Sequence, residues 1–435
     1  MRGNHYSSHY GITTFGESHG SAIGVVIEDV KPGIQFPLEE IKTALAQRRS
    51  SGLATSTSRI EPDEIEIISG VLNGVTTGMP ICILVRNKNA DSSDYETIKD
   101  IFRPGHGDFS IFNKFKIYDW RGGGRISGRE TICRVIAGET VNHLFKGVEF
   151  IVETFLIGSM TPKYRDTLFA KENPYYWTDP STLSTLKDYL EQVKTEGNSV
   201  GGVIQITIRN LPAGWGDPVF EKLDANIAKA VLSVGAVKGI EFGEGFSLSA
   251  MKGIDSNDEM NSEGFVTNKA GGILAGVSTG EDIVMRIAVK PVPSVSIPQK
   301  TVDINGNEKI ISIKGRHDVC LIPRIVPVLL SMLKLSLADA GAYQKLITES
   351  ERSLADFREY LDKVDEDLLI SLRNRFNIVK DIIRFKENNA IPLTDKVREV
   401  ELINNLKAKA ELLGISTELV QSLWQSIIAE GKMQK

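Results

Sequence analysis

Two of the six histidines in the chain lie inside glycine-rich words. One word is Thr13-Thr14-Phe15-Gly16-Glu17-Ser18-His19-Gly20 and the other is Arg103-Pro104-Gly105-His106-Gly107-Asp108. A loop of this kind lets backbone approach a ligand closely and leaves an imidazole open to exchange a proton near neutral pH. Either word alone also reads as a turn with a surface histidine. The densest signal is Arg121-Gly122-Gly123-Gly124-Arg125-Ile126-Ser127-Gly128-Arg129-Glu130. Three glycines leave amides open, arginines supply forked donors and a helix is expected to begin near Glu130, which together make an anion cradle. No Gly-Lys-Ser/Thr follows, so it is not a Walker loop; read alone it could be a basic hairpin tip. Lys290-Pro291-Val292-Pro293-Ser294 and Lys314-Gly315-Arg316-His317-Asp318 add cations in loops, with Asp318 able to take a proton and His317 read as structural. A small, multiply anionic ligand fits arginines gathered into glycine loops better than a polymer does.

The elements that must carry these words change character along the 435 residues. Of 39 glycines only Gly414 and Gly431 follow Tyr343, and of 16 prolines only Pro392 does. Because glycine and proline break helices, the first 342 residues read as strands, turns and some helices, and the rest as nearly pure helix. Short β-branched runs at Ala22–Glu28, Ile65–Ile68, Ile81–Val85, Gly202–Ile208 and Ile283–Val289 predict strands. Leu38–Arg49, Thr131–Phe145, Pro180–Glu196, Lys222–Gly235 and Arg324–Leu337 carry helical pattern. The mixture lacks a regular βαβ beat, so α+β layers are expected. In the tail, Leu354, Phe357, Leu361, Val364, Leu368, Val379 and Ile382 recur at helical spacing. Thr394 is expected to cap a second helix, Gly414 to end it, and Ser416 to cap a third. Arg375 and Lys386 fall within the apolar stripe of the long helix, which predicts an anionic partner there. Arg398 lies on the inner side of the second helix. So long a helix with so little to pack on predicts pairing with a second copy.

Composition narrows the class. A net charge of −5 and a pI near 5.8 argue against nucleic-acid binding. Cys82, Cys133 and Cys320 form no CxxC pair, so neither a zinc site nor a disulfide framework is signalled, and a reducing, cytoplasmic setting is expected. No signal peptide is evident. The most apolar stretch, Val326 to Ala342, is broken by Lys334 and Asp339, so no membrane span is expected.

In their order, the words TTFGESHG, RRS, EPD, YETIKDIFRPGHGD, RGGGRISGRET, PAGWGDPVF, LDANIAKAVLSVGAVKGIEFGEGF, AGGILAGVSTG, KPVPS and KGRHDVC resemble the chorismate synthase family across residues 1–342. The resemblance implies a layered β-α-β core. It also implies a 1,4-elimination of phosphate from 5-enolpyruvylshikimate 3-phosphate to give chorismate, requiring reduced FMN from an external reductant, and a homotetramer. Carried over by position, Arg48, Arg103, Arg129 and Arg316 would bind the substrate. His19 would protonate the departing phosphate, His106 would sit by the flavin and Asp318 would handle a proton on the flavin side. Arg125, Ile126, Ser127, Gly235, Ala236, Ala275, Lys290, Pro291, Val292, Pro293, Ser294 and Arg316 would line the flavin. No metal is implied. The chain departs from the family at Ile126, Gly128, Gly235 and Ala275, and lacks an arginine at Ala54.

After a connection over 343–352, linker or helix, residues 353–435 resemble the all-helical type II chorismate mutase family. The matching words are Arg358-x6-Asp365, LLISLRNRF, Lys386, IPLTDKVRE and QSLWQSII. The resemblance implies a three-helix domain, paired with a second copy, that rearranges chorismate to prephenate. Arg375, Lys386 and Arg398 would bind carboxylates and the ether oxygen, Arg358 would reach in from the other copy, and Asp395 and Glu399 would meet the hydroxyl side. Gly431 stands where serine is common, and Lys435 where glutamine or glutamate is common. The alternative is a monofunctional synthase with a non-catalytic ligand-binding or oligomerising tail.

Overall fold

The computed structural model describes residues 2–49, 63–88, 93–117, 119–313, 318–349 and 354–433. The chain divides into two compact units, residues 1–346 and 347–435.

The first unit is built on two antiparallel sheets. One joins β1 (His5–Tyr6), β2 (Ile12–Gly16), β3 (Ala22–Ile27), β4 (Ile65–Ser69) and β5 (Ile81–Arg86) in the order β1-β2-β3-β5-β4. The other joins β6 (Glu149–Ile157), β7 (Gly202–Arg209), β8 (Val237–Phe242) and β9 (Ile283–Val289) in the order β8-β9-β7-β6. Alternation explains both. In β9 the residues Ile283, Met285, Ile287 and Val289 are buried and those between are not, so one face of the strand meets the core. Helix α1 (Leu38–Arg49) and helix α2 (Thr131–Thr140) pack together, and α2 lies on β2 and β3. Helix α3 (Ile322–Glu349) packs on α2 and reaches the second sheet, where Ile322 approaches Gly202 and Lys334 lies over the Phe150 ring. Helices thus fill the space between two sheets, the layered α+β arrangement expected from the strand and helix runs.

The α2–α3 contact depends on Gly138. A Cβ there would lie 2.5 Å from Ser331 Cα, and the adjacent Glu139 forms a buried ion pair with Lys334 at 2.7 and 2.9 Å. Gly138→Ala must therefore push the two helices apart. It is expected to cost about 1–3 kcal/mol, read as a lower denaturation midpoint with an unchanged slope.

Several boundaries differ from the sequence reading. Helix α2 stops at Thr140, and Asn142–Phe145 continues as a tighter turn. Helix α3 extends in both directions beyond Arg324–Leu337 and runs through most of the expected 343–352 connection. It is long and apolar enough to cross a membrane, yet 72% of its most apolar window is buried inside the protein. Cys82, Cys133 and Cys320 are free thiols, and burial pushes Cys133 and Cys320 up to about 12, far from nucleophilic use.

Beyond the end of α3, the described residues of the second unit form α4 (Leu354–Asn388), α5 (Lys396–Leu412) and α6 (Thr417–Met433). Asp395, not Thr394, caps α5: its carboxylate accepts from the Arg398 amide at 2.9 Å. Ser416 caps α6 through the Leu419 amide, and Gly414 follows α5 with φ +69°.

Candidate functional site

The loop after β2 is set by glycine. Gly16 takes φ +84°, where a Cβ would meet the Ala22 carbonyl, and residues 17–20 close a turn through the Gly20 amide on Glu17 O at 3.0 Å. His19 sits in that turn. Its ring fills the place where a Cβ on Gly122 would be, and Gly122, Gly123 and Gly124 take φ of +59°, +85° and +52°. Three successive left-handed residues explain why the word must be Gly-Gly-Gly. The Ser18 hydroxyl lies 3.3 Å from Gly122 O, which can only accept, and 3.1 Å from His19 Nδ1. The hydroxyl thus donates to the carbonyl and accepts from Nδ1–H.

The second histidine word packs against the first cradle. Arg103 forms a two-point pair with Asp108 at 2.7 and 2.8 Å, and its guanidinium lies 5.7 Å from the centre of the Tyr95 ring, which meets His19 edge-on at 5.7 Å. His106 Nδ1 donates to Pro104 O at 3.0 Å, and Nε2 accepts from the Ser294 hydroxyl at 3.0 Å when the ring is neutral. Lys290 Nζ donates to Gly105 O at 2.7 Å, and its backbone amide bonds Ala236 O. The structure thus brings His106, Lys290–Ser294 and Gly235–Ala236 to one place, with Ile126 47% exposed beside Gly107.

Burial, then Arg103, pushes His106 down to about 4 from an ordinary 6.5. Its sign matters. The unfolded chain binds a proton as pH falls through about 6.5, while the folded chain resists until about 4. His106 thus contributes stability that is complete above about 6.5 and is lost as pH falls towards 4. An acid titration of unfolding should show a shallower decline between those values for His106→Gln than for the parent. Equal slopes would remove burial of a neutral imidazole as the cause.

The remaining cations form a connected group. Arg48 is buried and donates to Thr131 Oγ1 at 2.8 Å and Gly128 O at 2.7 Å. Burial, then the neighbouring Arg324, lowers it to about 10, with Arg129 a further repulsion. Arg324 pairs with buried Asp318 and reaches Arg48 O at 3.4 Å. Arg129 pairs with Asp63 at 3.3 Å and donates to Asn87. Contacts therefore run from Asp318 through Arg324 and Arg48 to Gly128 O, and from Arg129 through Asn87 to the turn that carries His19. A buried arginine pressed by two more guanidiniums is a site that stabilises a polyanion.

Two residues read as flavin-lining stand differently. The Arg125 guanidinium bonds the carbonyls of Thr14 and Gly16, the Thr14 hydroxyl and Asn4, so it staples β2 to the cradle. Ala275 is exposed in the turn of a hairpin that abuts the start of the helix Leu223–Leu232, through the Leu223 amide on Gly276 O. Gly235 and Ala236 follow the other end of that helix, about 15 Å away at 1.5 Å per residue. One chain does not bring Ala275 to the cluster. Arg316, and with it Lys314 and His317, lies outside the described residues.

Asn87, Asp63, Tyr95, Asp108 and Arg324 were not picked out from the sequence. Asp108 had a signal, a carboxylate five residues beyond Arg103 in one glycine loop. The other four come from separate segments and meet only in the fold.

In the second unit, residues 431 and 432 on α6 draw the other helices together. A Cβ on Gly431 would lie 3.7 Å from Arg375 Nη1 of α4, and Lys432 pairs with Glu399 of α5 at 2.7 Å. Among the described residues Arg375 Nη1 is buried with no hydrogen-bond partner, and burial lowers the guanidinium. Lys386 donates to Leu393 O at 3.2 Å. Arg398 is exposed and faces Glu401 at 3.4 Å, and Arg358 is exposed on α4. Asp395 is committed to its cap, and Lys435 lies outside the described residues. The sequence reading did not foresee Lys432.

Comparison with known proteins follows this division. A family model described as chorismate synthase matches residues 10–341, and one described as chorismate mutase type II matches residues 357–435. The chorismate synthase of Syntrophus aciditrophicus is 45% identical over 353 residues, 80% of this chain and 100% of that protein. That of Desulfosudis oleivorans is 47% identical over 351 residues, 80% of this chain and 99% of that protein. A solved structure titled "Crystal Structure of Chorismate Synthase" superposes with a TM-score of 0.59 at 26% identity, covering 77% of this chain and 92% of the other. Both resemblances read from the sequence are borne out.

Proposed function

Because the chain belongs to the chorismate synthase family and carries a chorismate mutase type II domain behind it, we propose that it makes chorismate and then consumes it. In this reading the first unit eliminates phosphate from 5-enolpyruvylshikimate 3-phosphate, and the second rearranges the product to prephenate. The observation that carries the first half is Arg48, buried with one guanidinium donor on Gly128 O and with Arg324 against its own carbonyl, so that burial and neighbouring guanidiniums lower it. A substrate with two carboxylates and a phosphate relieves that repulsion.

Arg48, Arg103 and Arg129, with Arg316, hold the substrate anions. Asp108 and Asp63 fix Arg103 and Arg129 in direction, so the donors are pre-set. His19 keeps Nδ1–H on the Ser18 hydroxyl and, when cationic, delivers the proton at Nε2 to the departing phosphate.

The exposed Ile126 side chain, open space around Gly235, and the Lys290 ammonium beside the His106 loop suit a flat anionic cofactor such as FMN. When bound in reduced form it supplies transient electron density to the substrate. Ile126, Ser127, Gly235, Ala236 and Lys290–Ser294 hold it in this reading. An anion beside His106 favours its protonated form, with the new proton at Nε2. Asp318, paired with Arg324, handles the proton on the flavin side. Ala275 reaches the flavin from a neighbouring copy of a homotetramer, and the reductant is external.

The rearrangement needs no covalent or acid–base step, so Arg375, Lys386 and Arg398 act by holding the compact conformer and its developing charge, with Glu399 on the hydroxyl side and Arg358 from a paired copy. The setting of both reactions is the cytoplasm.

An anaerobic assay of the whole chain with reduced FMN and 5-enolpyruvylshikimate 3-phosphate should release phosphate and accumulate prephenate. Chorismate accumulating in place of prephenate would favour a non-catalytic tail. Absence of phosphate release would end the synthase reading.

A further inference from the structure

We propose that Asn87 is a positioning residue that sets the spacing between the proton donor His19 and the anion-binding Arg129. The proposal rests on the synthase reading of that site.

Asn87 follows β5, and its backbone amide donates to Ser21 O at 3.1 Å, just before β3 begins. Its side-chain Nδ2 donates to Glu17 O at 2.9 Å and to Gly20 O at 2.8 Å. Those two carbonyls are the ends of the four-residue turn that carries His19. One NH2 group therefore grips both feet of the turn. The side-chain Oδ1 faces the other way and accepts from Arg129 Nε.

The orientation of the amide is fixed by its partners. Carbonyls only accept, so they must face Nδ2; a guanidinium only donates, so it must face Oδ1. No flipped amide satisfies all three. The turn that carries His19 thus cannot move relative to Arg129 unless at least one of these bonds breaks. Arg129 is further held by Asp63, so the turn is referenced to a fixed cation rather than to a mobile one. In a reaction where one group binds the substrate anion and another must protonate its leaving oxygen, that spacing determines the near-attack geometry, where a displacement of about 1 Å can cost about 10²-fold.

The test uses the full chain with Asn87→Ala and Asn87→Asp. Asp keeps an acceptor for Arg129 but offers no donor to Glu17 O and Gly20 O. Asn87→Ala is expected to lower synthase kcat about 10²-fold. Asn87→Asp should lower kcat comparably while keeping KM closer to the parent. In both, the limb of the kcat–pH profile set by His19 should move. A purely structural role would lower the melting temperature without moving that limb. Turnover of supplied chorismate by the second unit should stay at the parent value, and the melting temperature of the first unit reports whether that unit is folded. If Asn87→Ala proves insoluble, Asn87→Asp decides alone. Parent-like kcat and an unmoved pH profile in the soluble variant would overturn the proposal. An inactive parent with intact mutase turnover would instead overturn the synthase reading.

Discussion

His19→Ala is expected to lower synthase turnover by about 10²–10⁴-fold, the usual worth of a positioned general acid, and to leave rearrangement of supplied chorismate unchanged. The reason lies in how the imidazole is held. Ser18 fixes its Nδ1, Gly122 leaves room for its ring, and Tyr95 meets the ring edge-on. The mutation removes a ring without removing a charge from the arginine group, so substrate affinity should change little. KM near the parent value with collapsed kcat is the signature of an interaction made only in the transition state. Added small acids such as imidazolium should restore part of the rate, since the cavity left between Ser18 and Tyr95 matches the lost ring. Loss of both activities together would mean that the substitution unfolds the chain. Unchanged synthase turnover would remove His19 from the chemistry.

The glycine words were legible because they encode backbone. Gly16 and Gly122–Gly124 need left-handed φ values that other residues resist, so the sequence marks those turns plainly. Strand β9 was legible as a β-branched run and matches Ile283–Val289 to the residue. Strands β6 and β8 fall outside the β-branched runs. Glu153, at the centre of β6, is buried but paired to Arg165, and β8 carries Lys238, Gly239 and Glu241. In both, tertiary pairing overrides a weak local pattern. The partners of the arginines were hidden for a different reason. Asp63, Asn87 and Arg324 come from three segments far apart in sequence, and nothing local says that they share a wall. The tail reversed the difficulty. Its helices were plain from spacing, yet the partner of Glu399 is Lys432, chosen by how α6 lies on α5.

The two units also treat arginine in opposite ways. In the first unit Arg103 and Arg129 are each bound to a carboxylate before any substrate arrives. In the second, Arg375 Nη1 is buried and meets no hydrogen-bond partner among the described residues, and burial lowers the guanidinium. Leaving a buried donor unsatisfied costs about 1–3 kcal/mol, so a residue kept there for stability alone would be a poor choice. Arg375→Ala is therefore expected to lower mutase kcat/KM by about 10²–10³-fold, the scale of a lost transition-state donor, with synthase turnover unaffected. The melting temperature of the second unit should hold or rise, because the substitution removes a half-buried cation whose Nη1 meets no partner among the described residues. Arg375→Lys should fall between, since a lysine keeps the charge but not the fork. Activity lost in step with melting temperature would make Arg375 a packing residue, and activity retained would leave its buried donor without a ligand to explain it.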